Sequence, residues 1–238
     1  MNLKLAAHVD ELGAVLAGSI LGVPRSRQLT EATALYGAGA WIHLDLIDGG
    51  YPIGKGISRD ILIEVIKDWP SATDIHLISG HHQLDGVSLD GVGRLTVHLE
   101  PGEENSSPRP AGARESWISI QPHAWTGAMV DRLLARWQPD GVLMMLTPPG
   151  DPRFQADLTA LDTQAWTEAR SQTRLGVDGG VAEPHLSRIV AAGARYVVVG
   201  RALFNHSLPP SLEPAWTAVF PGPVRSSAEF IQRTGDVG

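Results

Sequence analysis

No cysteine occurs in the 238 residues of the chain. Neither a disulfide framework nor a thiolate zinc site is therefore open to it, and any metal ion must be held by histidine and carboxylate. Basic residues are outnumbered, 19 Lys and Arg against 26 Asp and Glu, for a net charge of −7 without a basic run. No nucleic-acid or anionic-membrane partner is expected from that balance. No apolar run approaches the roughly 20 residues of a membrane span. The N-terminus, Met1-Asn2-Leu3-Lys4-Leu5-Ala6-Ala7-His8-Val9-Asp10, is too polar and too soon interrupted by acid for a signal peptide, so a cytoplasmic location is the expectation. A Gly-rich dinucleotide fingerprint after the first strand is also missing.

What is present is a chain 43% hydrophobic and 19% charged, the balance of one globular domain of α/β-barrel size. Short apolar runs alternate with helical spacings. The strands are read at Ala14–Leu21, Trp41–Leu46, Asp74–Ser79, Arg94–Glu100, Ser116–Ile120, Gly141–Leu146, Leu175–Val177 and Tyr196–Val199. Helices are expected over Arg25–Tyr36, from the cap Ser58 to Pro70, over Ala128–Trp137, Leu158–Ala169 and Glu183–Ala192. The Gly-rich stretch Gly80–Gly93 has a poor helical pattern. Several strands are apolar throughout, as in a parallel sheet covered on both faces. Eight such strands predict a single (β/α)8 barrel domain over 1–238, with an irregular Pro-rich excursion near 101–114 and a Pro-rich tail from 209. A doubly wound open sheet is the alternative.

The chemistry concentrates in Trp41-Ile42-His43-Leu44-Asp45-Leu46-Ile47-Asp48-Gly49-Gly50. Side chains alternate along a strand, so His43 and Asp45 share one face. An imidazole and a carboxylate side by side are costly to bury unless a divalent cation lies between them. A second imidazole, His76, follows in Asp74-Ile75-His76-Leu77-Ile78, and a late carboxylate, Asp178, in Val177-Asp178-Gly179-Gly180-Val181. Asp48 reads as structural, and the adjacent His81 and His82 as solvated. His98 lies on a barrel-facing strand, where support of the site and simple packing are both open. Arg201 is open between phosphate ligand and surface residue. The scattered Trp residues read as packing.

Four segments in order, and more weakly a fifth, resemble motifs of the ribulose-phosphate 3-epimerase family, metal-dependent (β/α)8 barrels of the ribulose-phosphate-binding superfamily. His43-Leu44-Asp45-Leu46-Ile47-Asp48-Gly49 is similar to His-x-Asp-x-Met-Asp-Gly, and Asp74-Ile75-His76-Leu77-Ile78 to Asp-x-His-Leu-Met. Val177 to Val181 matches Val-Asp-Gly-Gly-Val, Gly200-Arg201-Ala202-Leu203-Phe204 resembles Gly-Ser-Ala-Ile-Phe, and Ser19-Ile20-Leu21 resembles a first-strand Ser-Ile-Leu. The resemblance implies one divalent metal ion (zinc, manganese or iron) on His43, Asp45, His76 and Asp178. It implies Asp45 and Asp178 as the catalytic acid/base pair, inverting C3 of a phosphorylated ketose through a metal-stabilised enediolate. D-ribulose 5-phosphate giving D-xylulose 5-phosphate is the expected reaction; D-allulose 6-phosphate, or a non-catalytic metal- or sugar-phosphate-binding barrel, is the alternative. Substrate contacts are implied at Ser19, His76, Met145, Gly150, Gly179, Gly180, Gly200 and Arg201, and a homo-oligomer is expected.

Three departures accompany the match. Two methionines of the family stand here as Ile47 and Ile78, while Met145 remains. The Asn-Pro-Gly-Phe-Gly-Gly-Gln loop is replaced by Pro148-Pro149-Gly150-Asp151-Pro152-Arg153-Phe154-Gln155, without its paired glycines. The small Ser of the last loop is Arg201, so Arg201 or Arg153 is expected to replace lost amide donors to phosphate by a charge-assisted contact. The decarboxylase and hexulose-phosphate synthase group resembles Asp-x-Lys-x-x-Asp; here the residue two after Asp45 is Ile47, which argues against that group.

Overall fold

A computed structural model of the chain describes residues 1–48, 56–79, 81–103, 112–148 and 155–204. The strands are β1 (Val15–Ser19), β2 (Trp41–Leu46), β3 (Thr73–Leu77), β4 (Arg94–His98), β5 (Glu115–Ile120), β6 (Gly141–Met145), β7 (Arg174–Asp178) and β8 (Tyr196–Val199). They pair in chain order, all parallel, and β8 closes on β1. This is the expected (β/α)8 barrel, within one compact unit, Met1–Asn205. The Pro-rich tail from 209 and most of the 101–114 excursion lie outside the described residues.

The helices are α1 (Leu3–Glu11), α2 (Arg25–Gly37), α3 (Arg59–Asp68), α4 (Gly127–Trp137), α5 (Gln164–Gln172), α6 (Leu186–Ala191) and α7 (Arg201–Phe204). They pack on the outside by narrow apolar stripes. In α4 the buried residues are Val130, Leu133, Leu134 and Trp137, spaced three and four apart, and Thr126 caps the first turn by accepting from Met129 N–H. Several boundaries differ from the sequence reading: β1 ends at Ser19 and a 3-10 turn, Ile20–Gly22, follows, and Glu183–Ala192 opens as a 3-10 turn before α6. Helix α1 was not foreseen; it buries only Leu5 and Val9, and the Asn2 side chain caps it by accepting from Leu5 N–H. The stretch Leu158–Ala169 is a 3-10 turn, Leu158–Asp162, and then α5, because Thr163 takes extended backbone and its hydroxyl caps Trp166 N–H. Between β3 and β4 the described residues hold only a 3-10 turn, His81–Leu84.

The floor of the barrel is charged and aromatic. The Arg94 guanidinium, at the start of β4, stands 4.0 Å from the ring centres of Trp117 and Tyr196 and 4.6 Å from that of Trp41. Glu115 Oε2 accepts from Arg94 Nη2 at 2.7 Å and Nε at 3.0 Å, and Glu115 Oε1 accepts from Arg174 Nη1 at 2.8 Å. Gly141 leaves space for the Trp117 ring, which a Cβ there would approach to 2.5 Å.

This pairing gives the first expected outcome. Burial pushes the Glu115 carboxyl up, but Arg174 and Arg94 more than offset this and hold its pKa below the ordinary value. A depressed folded-state pKa stabilises the fold above the unfolded Glu value of about 4.3 and ceases to do so as pH falls through the lower folded value. Glu115→Gln strands a buried guanidinium, and its cost is set at about 3 kcal/mol, the low end for a broken buried pair, because Glu115 is partly exposed. Urea unfolding should show that gap near neutral pH and a smaller one near pH 3. An equal gap at both would contradict the ion-pair account.

Candidate metal centre

The register of neighbouring strands builds the site. Asp45 on β2 lies opposite His76 on β3, His43 opposite Asp74, and Ser19 on β1 opposite His43. On the far side of the barrel Met145, which ends β6, pairs with Asp178, which ends β7. The inward faces of these strands therefore carry His43, Asp45, His76 and Asp178 toward one point. The expected alternation within His43-x-Asp45 holds, and Asp74-x-His76 repeats it one strand on.

Each of the four residues offers one donor atom there, and these atoms all lie within 4.8 Å of one another. Asp45 Oδ1 is 3.1 Å from His43 Nε2 and 3.2 Å from His76 Nδ1. Asp178 Oδ2 is 3.7 and 3.6 Å from the same two nitrogens. Around a cation bonded at about 2.0–2.1 Å, tetrahedral donors stand roughly 3.3–3.4 Å apart. The observed separations bracket that value, so the donor set fits a divalent ion. Two neutral imidazoles and two carboxylates would also neutralise its charge.

The surroundings hold each side chain in place. His43 Nδ1 is 2.8 Å from Asp74 Oδ2, which also accepts from the Tyr196 hydroxyl at 2.5 Å. Asp74 Oδ1 accepts from Thr96 Oγ1 at 3.2 Å, and Arg94 Nη1 stands 3.9 Å from Asp74 Oδ2. Ser19 Oγ donates to Asp45 Oδ2 at 2.7 Å. His43, Asp74 and His76 have no exposed surface, while the Asp178 side chain is 14% exposed, so Asp178 is the member that faces outward.

Electrostatics follow from this packing. Burial pulls the His43 imidazole down, yet Asp45 and Asp74 on its two nitrogens reverse this and hold its pKa well above the usual histidine value. His76 is raised in the same way, against burial, by Asp178 and Asp45. Burial pushes Asp45 up, and His43 and His76 hold it well below the carboxylate range. Asp74 is likewise pushed up by burial but brought down to about 2 by His43, Arg94 and Tyr196. Positive charge at the imidazole end is thus balanced by carboxylates on either side.

The remaining expected residues lie at the ends of β1, β6, β7 and β8 or fall outside the described part. Met145 is buried beside Asp178, and Ile47 and Ile78 are buried just past the ends of β2 and β3. Gly179 (φ +105°) and Gly180 (φ +64°) continue β7 into a turn only glycine adopts readily, and a Cβ on Gly179 would collide with Thr147. A Cβ on Gly200 would lie 3.9 Å from Ser19 Cβ, and one on Gly22 3.3 Å from Arg201 N; the last βα turn thus sits against the end of β1. Gly150 and Arg153 lie outside the described residues. Asp48 and His82 are exposed, 3.6 Å apart, away from the centre. Asp74, Tyr196, Thr96 and Ser119 carry no role in the sequence reading. Asp74 was detectable, since it stands two before His76 on the same strand face, but the others become visible only when the barrel closes.

Comparison with known proteins points to one family. The family model for the ribulose-phosphate 3 epimerase family matches residues 15–204. A ribulose-phosphate 3-epimerase, cytoplasmic isoform, of Oryza sativa subsp. japonica is 23% identical over 206 residues, 82% of this chain and 90% of the relative. A ribulose-phosphate 3-epimerase of Synechocystis is 27% identical over 210 residues, covering 80% and 87%. Among solved structures, a chain of the Pyrococcus furiosus tryptophan synthase a2b2 complex superposes with a TM-score of 0.54 at 16% identity, covering 81% of this chain and 89% of that one. An HpcH/HpaI aldolase of Desulfitobacterium hafniense does so at 0.56 and 10%, covering 92% and 97%. These structural likenesses speak for the barrel alone.

Proposed function

The chain belongs to the ribulose-phosphate 3-epimerase family, and on that premise we propose that it inverts C3 of a phosphorylated ketose, D-ribulose 5-phosphate giving D-xylulose 5-phosphate. One observation carries the reading. Two carboxylates, Asp45 and Asp178, approach the same pair of imidazole nitrogens from β2 and from β7, across the mouth of the barrel.

Inverting a carbon beside a carbonyl requires a base on one face and an acid on the other. Asp45 takes the C3 proton from one side and Asp178 returns one from the opposite side; the reverse reaction exchanges the roles. A divalent ion held by His43, Asp45, His76 and Asp178 would supply positive charge against the negative charge that develops on the substrate oxygens, and zinc, manganese or iron suits the mixed N/O donors. Ser19 fixes the rotation of the Asp45 carboxylate. Met145, Ile47 and Ile78 form apolar walls that limit water around the reacting carbon. Backbone N–H groups of Gly179, Gly180 and Gly200, with Arg201, would receive the phosphate at the loops after β7 and β8, where barrels of this type hold it.

Turnover with added metal tests the substrate. D-ribulose 5-phosphate should be strongly preferred to free ribulose, and Arg201→Ser should raise KM several-fold if this arginine touches the phosphate. Faster turnover of the free sugar, or better turnover of the phosphate ester by Arg201→Ser, would contradict phosphate recognition at this place.

A further inference from the structure

Ser119 lies where two imidazoles meet. Its Oγ is 2.7 Å from His76 Nε2 and 2.9 Å from His98 Nδ1, and His98 Nε2 is 3.3 Å from Glu100 Oε1. Ser119 and His76 have no exposed surface, His98 is almost fully buried, and the Glu100 side chain is half exposed. A serine, a histidine and a glutamate in line have the residue types of a nucleophilic triad. That role is closed to Ser119, whose oxygen no substrate can reach and which already faces His76.

The chain of contacts instead fixes where each hydrogen points. An ionised carboxylate only accepts, so His98 Nε2 donates to Glu100. In the neutral ring the other nitrogen, Nδ1, is then the acceptor, and it faces Ser119 Oγ. The Ser119 O–H is then directed at His98 Nδ1, and its lone pairs are left for His76 Nε2–H. In neutral His76 the remaining nitrogen, Nδ1, keeps its lone pair aimed between Asp45 Oδ1 and Asp178 Oδ2.

We propose that Ser119 and His98 are positioning residues that hold His76 in its Nε2–H tautomer and so present Nδ1 to a divalent cation, with Glu100 setting the sense of the chain from the surface. The proposal rests on His76 being a metal ligand, and its test separates the two claims. Zn2+ affinity, measured by competition with a chromophoric chelator, is compared in wild type, Ser119→Ala, Ser119→Thr, His98→Phe and His76→Ala. Ser119→Ala and His98→Phe should each weaken binding about 10- to 100-fold, the range for partners that orient a ligating histidine. Ser119→Thr, which keeps the hydroxyl, should restore near wild-type affinity, and His76→Ala should lose more than either. In the zinc-loaded, 15N-histidine-labelled protein, the His76 Nε2–H signal should be protected in wild type and broadened by exchange in Ser119→Ala. If His76→Ala binds Zn2+ as tightly as wild type, His76 is not a ligand. If His76→Ala loses affinity while Ser119→Ala and His98→Phe keep it, the metal centre stands and the positioning chain is wrong.

Discussion

Asp178→Asn should abolish epimerisation while leaving the barrel folded. The change is nearly isosteric, and Asp178 is the most exposed of the four cluster residues. It removes a proton carrier, worth about 10²–10⁴-fold, together with one negative charge facing two imidazoles. A fall of at least about 10³-fold in kcat is therefore expected, with the urea midpoint little changed. Asp45→Asn should be as inactive but less stable. The Asp45 carboxylate accepts from Ser19 and lies against His43 and His76, and an amide would turn a donor toward one of them. A variant that still exchanges the C3 proton with solvent but makes no epimer keeps the carboxylate of that face. Near wild-type epimerisation by either variant would rule out the two-carboxylate mechanism.

The second large effect is that of metal removal. The donor geometry predicts one divalent ion per chain, and chelator-treated protein should lose activity by on the order of 10³-fold, the equivalent of several kcal/mol of charge stabilisation. Zinc, manganese or iron(II) should restore it. Loading should also stabilise the fold, by about 4 kcal/mol at a free concentration a thousand times Kd, and the apparent melting point should rise accordingly. That second readout does not depend on turnover. His43→Ala should lose both effects. Protein purified without chelator that contains no transition metal, and that neither gains activity nor stability on adding one, would contradict the centre.

Much of this was legible in the sequence because parallel barrel strands are buried on both faces. Gly141-Val142-Leu143-Met144-Met145 reads as a strand from composition alone, and the period of two places His43 with Asp45 without any coordinates. Asp178 was legible through the glycines that follow it, which mark where β7 must turn. Among the positioning groups Asp74 and His98 were open to view from their strand positions, but Tyr196 and Ser119 were not. Tyr196 stands 122 residues from the Asp74 to which it donates, and Ser119 is one small polar residue in an apolar strand. Only closure of the barrel brings them to the imidazoles. The clamp of Arg94 between Trp41, Trp117 and Tyr196 was hidden for the same reason, and the Trp residues there are indeed packing. Helix α1 escaped because two buried residues make too short a stripe to show a period. The break at Thr163 escaped because a capping hydroxyl competes with helix continuation, which spacing of apolar residues does not register.

The central claim is that Asp45 and Asp178 carry a proton between solvent and C3 of the sugar. Turnover of D-ribulose 5-phosphate in D2O, with metal added and products followed by NMR and mass spectrometry, tests it most directly. The account predicts xylulose 5-phosphate bearing one deuterium, at C3, with the C1 hydrogens untouched. Epimer formed without deuterium, or deuterium appearing at C1, would contradict it.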